Sequence, residues 1–129
     1  MNTLPMKIQS YPSAYIANTD PSSKPGQHWV VFFFRNANSA EFFDSYGRAP
    51  DHYNEHFINF IRRNTHSYVW NTVTLQQNNS QVCGYYVLYY LLMKCRNMPL
   101  KDIVQHFSND KRENDVNVYE YMYHYVNKK

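Results

Sequence analysis

Residues 75–92 read LQQNNSQVCGYYVLYYLL and mark an abrupt change from polar to apolar sequence. An amide-rich run ends at a single cysteine, Cys83, and an aromatic and aliphatic segment follows. Because residues 84–95 are apolar on all sides, they predict a buried helix that begins after Cys83. A thiol at that position lies at the positive end of the helix dipole, which stabilises a thiolate. Cys83 is therefore a candidate nucleophile as well as a candidate core residue.

The length and composition of the chain fit one domain. It has 129 residues, of which 43% are hydrophobic and 18% aromatic, so a core of single-domain size is available. We expect a single domain over 1–129, in which residues 1–27 form an extended, proline-punctuated arm with one short strand near 14–17. The net charge of +3 is mild and does not indicate nucleic-acid binding. No transmembrane run or targeting motif is visible.

The two cysteines, Cys83 and Cys95, do not predict a disulfide. On one helix they would lie roughly 18 Å apart at about 1.5 Å per residue, which is too far for an S–S bond. The simpler expectation is a reducing, intracellular compartment. Cys95 lies inside the apolar helix with no base nearby, so we assign it to the core.

Hydrophobic periodicity predicts the other main elements. The strands are expected at 28–34, 40–47 and 67–73. The helices are expected at 51–64, after Pro99 and around 119–126. Asp51 is the expected N-cap of the first of these helices, and Asn114 or Asp115 that of the last. This order of elements predicts an α+β domain with a small antiparallel sheet packed against helices.

Three polar side chains ahead of Cys83 could make it a nucleophile. A thiol attacks as the thiolate, and an imidazole can take its proton and hold it as a cation. His28 stands where a polar loop enters a buried strand, and Asp44 stands near the close of the next strand. If those strands pair as an antiparallel hairpin, imidazole and carboxylate come within reach of each other. The backbone N–H of Cys83 and the side-chain amide of Gln76 or Gln77 could then bind a developing oxyanion.

Each of these residues also has an ordinary structural explanation. A cysteine before a buried helix is commonly a core residue, and an aspartate after a strand commonly caps a turn. Their occurrence in order, on two strands, a loop and a helix start, favours the catalytic interpretation.

The resemblance to a known family rests on three segments, PGQHWVVFFF, FFDSYG and LQQNNSQVCGYYVLYYL. Together they resemble the adenovirus-type (adenain-like) cysteine proteases, particularly the versions encoded by Polinton or Maverick elements and related large DNA viruses. The resemblance implies a papain-like site in permuted chain order. In it His28 is the general base, Asp44 orients the base and Cys83 attacks, while a glutamine completes the oxyanion hole. The implied activity is that of a cysteine endopeptidase cleaving viral or transposon-encoded precursor proteins, as in capsid maturation.

The resemblance also distinguishes the two glutamines. Gln76 precedes Cys83 by seven residues, which is the adenain-like spacing, whereas Gln77 precedes it by six, the spacing of the SUMO and ubiquitin-like proteases. We therefore expect Gln76 to be the oxyanion donor.

The expected partners follow from the same resemblance. The substrate is a protein or peptide, and no metal or other cofactor is implied. Activation by a peptide or by DNA is implied by the family alone, and no counterpart of the cysteine that tethers the adenoviral peptide is visible. We expect a monomer that does not bind membranes and that works in the host cytoplasm or nucleus, or packaged in a virion.

Three alternatives remain. The first is a SUMO- or ubiquitin-like deconjugating protease, which shares the triad and the fold. The second is a zinc metalloprotease, because HYNEH at 52–56 matches the H-x-x-E-H pattern of the inverted type, with His52 and His56 as ligands and Glu55 as base. A chelator would stop that activity, whereas a thiol alkylator would stop a cysteine protease. The third is a non-catalytic binding module with the same fold.

Overall fold

The structure is a computed structural model in which residues 4–19, 28–78 and 80–127 are described. Its strands are β1 (Ser13–Asn18), β2 (Trp29–Asn36), β3 (Ser39–Phe43) and β4 (Tyr68–Trp70). Its helices are α1 (Glu55–Asn64), α2 (Cys83–Cys95), α3 (Leu100–Gln105) and α4 (Lys111–Asn127). The strands predicted at 40–47 and 67–73 are present but end earlier than expected.

The four strands form one mixed sheet in the order β1-β2-β3-β4. Strand β2 pairs antiparallel with both β1 and β3, whereas β3 and β4 run parallel. The α+β class is confirmed, but the expectation of an antiparallel sheet is wrong for β4. A parallel neighbour needs a crossover connection, and α1 lies in the connection between these two strands.

Strand β2 is buried on both faces, as its continuous apolar sequence predicts. Val30 and Phe32 belong to one apolar cluster, which includes the buried side chains of α1. Val31 belongs to a second cluster on the other face, in which the ring of Phe43 stacks on that of Tyr90 of α2 at 4.6 Å. Helices α1 and α2 are therefore held against opposite faces of the same strand.

The amino-terminal segment contributes to the sheet. The strand expected near 14–17 is confirmed as β1, the edge strand next to β2. Ile8 is buried, and its backbone N–H donates to Oδ1 of Asn64 at 2.9 Å. The described part of the predicted arm is thus packed against the domain, while the rest of it, residues 1–3 and 20–27, lies outside the described residues.

The helix predicted at 51–64 is interrupted. A 3₁₀ turn covers Pro50–His52, and α1 begins only after Asn54. Asn54 has an extended backbone (φ −167°, ψ 163°), and its side-chain oxygen accepts from the N–H of Phe57 at 3.0 Å. This residue is therefore the N-cap, and the expected cap, Asp51, is wrong.

Two further expectations about helix ends are wrong. Helix α4 starts directly after Asp110, whose carboxylate accepts from the N–H of Glu113 at 3.1 Å and caps the helix. The expected caps, Asn114 and Asp115, lie inside the helix. Cys95 is exposed, because it is the last residue of α2 and lies beyond the core.

Helix α2 begins at Cys83, where the sequence changes from polar to apolar. It is 13 residues long and buries Tyr86, Val87, Tyr90 and Met93. Across the described ranges, no helix combines the length and the apolar character needed to cross a membrane.

Candidate active site

Strands β2 and β3 bring His28 and Asp44 together. The hairpin pairs Val31 with Phe43, so the residue before β2 and the residue after β3 meet at the same end of the sheet. Nε2 of His28 lies 2.5 Å from Oδ1 of Asp44. The His28 side chain is 11% exposed and that of Asp44 is fully buried. The predicted hairpin is confirmed, and it places the imidazole against the carboxylate.

The same imidazole contacts Cys83, the first residue of α2. A side-chain hydrogen bond joins His28 to Cys83. Because Nε2 is bonded to Asp44, we assign the bond with the sulfur to Nδ1. Cys83 itself is buried, with 8% of its surface exposed. The ring thus lies between a carboxylate and a thiol.

These contacts favour a thiolate–imidazolium pair. Burial opposes charge on both groups, so it raises the pKa of the Cys83 thiol and lowers that of the His28 imidazole. For the pKa of His28, the hydrogen bonds and negative charges of Asp44 and Cys83 outweigh burial. For the pKa of Cys83, the hydrogen bond and charge of His28 do so, together with backbone hydrogen bonds. The pKa of His28 rises from 6.5 to about 9, and that of Cys83 falls below its ordinary value. Backbone hydrogen bonds from Trp29 and Gly84 to the sulfur lower its pKa further.

Asp44 is held by three donors besides His28. The N–H of Tyr46 donates to Oδ1 at 2.9 Å, and the N–H of Arg48 donates to Oδ2 at 3.1 Å. The hydroxyl of Tyr53 donates to Oδ2 at 2.5 Å. Burial alone would raise the pKa of Asp44, but His28 and these donors bring it below its ordinary value. The carboxylate is therefore an ionised acceptor with a fixed orientation.

The backbone of Asp44 is clamped by Asn71. Oδ1 of Asn71 accepts from the N–H of Asp44 at 2.9 Å, and its Nδ2 donates to the carbonyl of Asp44 at 2.5 Å. On the other side, the ring of Tyr46 lies 4.5 Å from the ring of His28, tilted by 32°. Both contacts restrict movement of the acid and the base.

Three of these supporting residues were not found from the sequence. Tyr53 falls on the apolar face of the helix predicted at 51–64, and Asn71 falls inside the strand predicted at 67–73. Tyr46 lies in the FFDSYG segment, but nothing in its position indicates a contact with an imidazole. A polar residue inside a predicted strand is the one usable signal, and it points to Asn71.

The two candidate glutamines differ in their surroundings. Gln76 is fully buried, and its Oε1 accepts from Oγ of Ser45 at 2.5 Å. Its Nε2 donates to Oγ and to the carbonyl oxygen of Ser80, at 2.8 and 3.1 Å. Gln77 is exposed. The side chain of Gln76 is therefore hydrogen-bonded to the loop that leads into Cys83, whereas that of Gln77 is exposed to solvent.

A cleft of about 500 Å³ lies between the sheet and the first turns of α2. Its lining residues are Ile16, Trp29, Gln81, Gly84, Tyr85, Val87 and Leu88. Trp29 directly follows His28 and Gly84 directly follows Cys83, so the cleft is lined by the chain neighbours of the pair. Of the described residues that line it, none is charged. The space suits an uncharged, mainly apolar group.

The positions of His52 and His56 do not fit the proposed zinc site. It requires His52 and His56 on one helix, but they lie on the 3₁₀ turn and on α1, with Asn54 in an extended conformation between them. In the part of the chain that the structure describes, no three His, Cys, Asp or Glu residues are grouped so that they could hold a metal ion.

The comparisons with known proteins give one structural match. No protein-family model and no curated protein matches the sequence. Among solved structures, the fold is similar to the crystal structure of the ASFV pS273R protease, with a TM-score of 0.49 and 20% sequence identity. The match covers 74% of this chain but 39% of that chain, so this chain spans well under half the length of its neighbour. Similarity of this degree leaves the function to be argued from the contacts of the site.

Proposed function

We propose that this chain is a cysteine endopeptidase in which Cys83 attacks, His28 is the general base and Asp44 orients it. The supporting observation is a single imidazole bonded on one side to a buried carboxylate and on the other to a thiol of lowered pKa at a helix start. Buried ionisable groups are costly to fold, and strongly shifted pKa values in a cleft are typical of functional sites.

The first chemical step is acylation of Cys83. The thiolate attacks a peptide carbonyl carbon, a C–S bond forms, and the carbonyl oxygen becomes an oxyanion. The backbone N–H of Cys83 and Nε2 of Gln76 stabilise that oxyanion. Nε2 can exchange the Ser80 hydroxyl for the substrate oxygen while it keeps its bond to the Ser80 carbonyl.

Collapse of this intermediate breaks the C–N bond. The protonated His28 gives its proton to the leaving amine, and a thioester on Cys83 remains. A water molecule then attacks the thioester while neutral His28 takes a proton from it. The second intermediate expels the thiolate and releases the carboxylic acid. Asp44 keeps the ring oriented through both halves and does not itself transfer a proton.

The substrate we propose is a protein segment that enters the apolar cleft beside Cys83. The adenain-like sequence resemblance supports a viral or transposon-encoded precursor as that protein. This reaction needs no metal or other cofactor, because the base and the oxyanion donors are protein groups.

Cleavage of a peptide library tests the proposal. The purified chain should cleave a subset of peptides, and Cys83→Ala should abolish cleavage while the circular dichroism spectrum stays the same. Cys95→Ala is the matched control, since Cys95 is an exposed thiol at the far end of the same helix and its loss should leave most activity. Turnover by the Cys83→Ala variant would refute the proposal.

A further inference from the structure

The turn that carries the catalytic acid also contacts the segment that carries Gln76. Gly47 closes this turn, with its N–H donating to the carbonyl of Asp44 at 2.7 Å. Its φ is +76°, and a Cβ there would lie 2.7 Å from the carbonyl carbon of Val73 and 2.9 Å from the backbone N of Thr74. Only glycine permits this approach. The turn and the 73–76 segment are therefore packed backbone to backbone.

Ser45, the residue after the acid, makes three hydrogen bonds across this contact. Its carbonyl accepts from the N–H groups of Leu75, at 2.8 Å, and Gln76, at 3.1 Å. Its hydroxyl lies 2.5 Å from Oε1 of Gln76. Ser45 is 1% exposed, so water cannot replace these bonds.

The orientation of the Gln76 amide is fixed by its two ends. The carbonyl oxygen of Ser80 can only accept a hydrogen bond, so the atom facing it must be the NH₂ group of Gln76. The other end is then Oε1, and the Ser45 hydroxyl must donate to it. If that hydroxyl is removed, Oε1 becomes a buried acceptor without this donor, and the amide is held only through its NH₂ group, at Ser80.

The backbone on each side of Gln76 is anchored independently of Ser45 Oγ. Nδ2 of Asn114 donates to the carbonyl of Leu75 at 3.1 Å. The carboxylate of Asp115 accepts from the N–H of Gln77 at 3.3 Å. Loss of the Ser45 hydroxyl would therefore change the direction of the Gln76 side chain more than the path of the chain.

We infer that Ser45 is a positioning residue for the oxyanion donor: its hydroxyl holds Oε1 of the Gln76 amide, so that Nε2 faces the loop that leads into Cys83. The inference rests on the proposed function. Because Ser45 follows Asp44 directly, one tight turn positions two groups of the site. Asp44 orients the base His28, and Ser45 orients the oxyanion donor Gln76. A donor that acts only on transition-state charge affects kcat, so misplacing it should leave KM unchanged.

A double-mutant cycle tests this inference. Ser45→Ala should lower kcat by roughly 10- to 100-fold with little change in KM, as misplacement of a catalytic group does. Gln76→Ala should lower kcat by at least as much. If Ser45 acts through the amide, Ser45→Ala added to Gln76→Ala should cause no further loss.

Thr74→Val is the matched control. The Thr74 hydroxyl donates to the carbonyl of Tyr46 at 2.7 Å, so it ties the same turn to the same segment without touching the Gln76 amide. Its removal should lower the Tm but leave kcat near the wild-type value. If Ser45→Ala does not fold, Ser45→Cys keeps the shape with a weak donor and should show the same kcat loss, again absent in the Gln76→Ala background.

The outcomes are separable. Independent, multiplicative losses in the double mutant would overturn the positioning role of Ser45, as would a rise in KM at unchanged kcat. Normal kcat in Gln76→Ala would overturn the inference as well, while leaving a protease that needs Cys83. Turnover by Cys83→Ala would instead refute the proposed function itself.

Discussion

The hydroxyl of Tyr53 lies 2.5 Å from Oδ2 of Asp44, while His28 binds Oδ1 of the same carboxylate. Both carboxylate oxygens of Asp44 are therefore hydrogen-bonded to side chains from different parts of the fold. Tyr53 reaches it because the chain is interrupted between the 3₁₀ turn and α1, where the capping residue Asn54 has an extended backbone. The orientation of the base thus depends on a residue outside the strand hairpin.

Tyr53→Phe should weaken both the fold and catalysis. A hydrogen bond to a charged group contributes about 1.5–3 kcal/mol, so the free energy of unfolding in urea should fall by that order. The kcat should fall as well, because the carboxylate loses one of its fixed donors. Tyr68→Phe is the control, since Tyr53 and Tyr68 both pack against the apolar cluster that contains Phe32, whereas the hydroxyl of Tyr53 bonds Asp44. Equal effects of the two changes would contradict the assignment.

Asp44→Asn should be far more damaging than Tyr53→Phe. An amide in place of the carboxylate favours the wrong imidazole tautomer and cannot stabilise the imidazolium, so kcat should fall by about 10²-fold or more. His28→Ala should be at least as severe. Glu41→Gln is the matched carboxylate-to-amide change. Glu41 lies on β3, and its Oε2 is 3.0 Å from Nζ of Lys94, so this variant should retain activity. Near-normal kcat in Asp44→Asn would mean that the acid is misassigned.

The activity should have a broad pH optimum. Attack needs the thiolate, which is lost as pH falls through the lowered pKa of Cys83. Departure of the amine needs the imidazolium, which is lost as pH rises through about 9. The raised pKa of His28 also stabilises the folded chain fully below pH 6.5, and this contribution is lost as pH rises through about 9.

Alkylation by iodoacetamide measures the thiolate directly. It should be done on a Cys95→Ser background, because Cys95 is exposed and would react too. The rate at Cys83 should already be high at neutral pH and should fall in His28→Gln, which cannot hold the proton. A rate that rises only near the ordinary pKa of a thiol would rule out the ion pair.

The features that the sequence predicted are those with local signals. The start of α2 at Cys83 follows from an abrupt polar-to-apolar border, and the β2–β3 hairpin follows from two apolar runs joined by a short polar turn. The hairpin brings His28 and Asp44 together, and the border marks Cys83 as the start of a helix. That the start of α2 meets this end of the hairpin was implied by the family resemblance and not by either local signal.

The features that it did not predict depend on distant partners. Asn71 clamps Asp44 from 27 positions away, and Ser45 reaches Gln76 across 31. The break before α1 was missed because continuous apolar periodicity outweighs the capping preference of Asn54 in a local pattern. The parallel direction of β4 was not predicted, because the residues of a strand do not determine its direction after a helical crossover.

Substitution of Gln76 and of Gln77 should have different effects on kcat. Gln76 is buried with its amide bonded to Ser80, whereas Gln77 is exposed. Gln76→Ala should lower kcat by roughly 10²-fold or more with little change in KM, because an oxyanion donor acts on charge that appears in the transition state. Gln77→Ala should be mild. The reverse pattern would move the site toward the spacing of the SUMO and ubiquitin-like proteases.

The apolar cleft beside Cys83 should control which peptides are cleaved. Leu88 lines it from α2 and is 45% exposed, so a charged side chain can be placed there without entering the core. A carboxylate in the cleft would have to lose its water when an apolar substrate group binds, which is unfavourable. This change should therefore weaken substrate binding and leave the reactivity of the thiol unchanged.

Leu88→Asp should therefore lower kcat/KM by roughly 10- to 100-fold for peptides with a bulky apolar residue near the scissile bond, the usual scale for one pocket contact. Its rate of alkylation by iodoacetamide should not change, because that reagent is too small to need the cleft. Val69→Asp is the control, since Val69 is 55% exposed on β4 and lies outside the cleft. Unchanged specificity in Leu88→Asp, or an equal loss in Val69→Asp, would show that the substrate binds elsewhere.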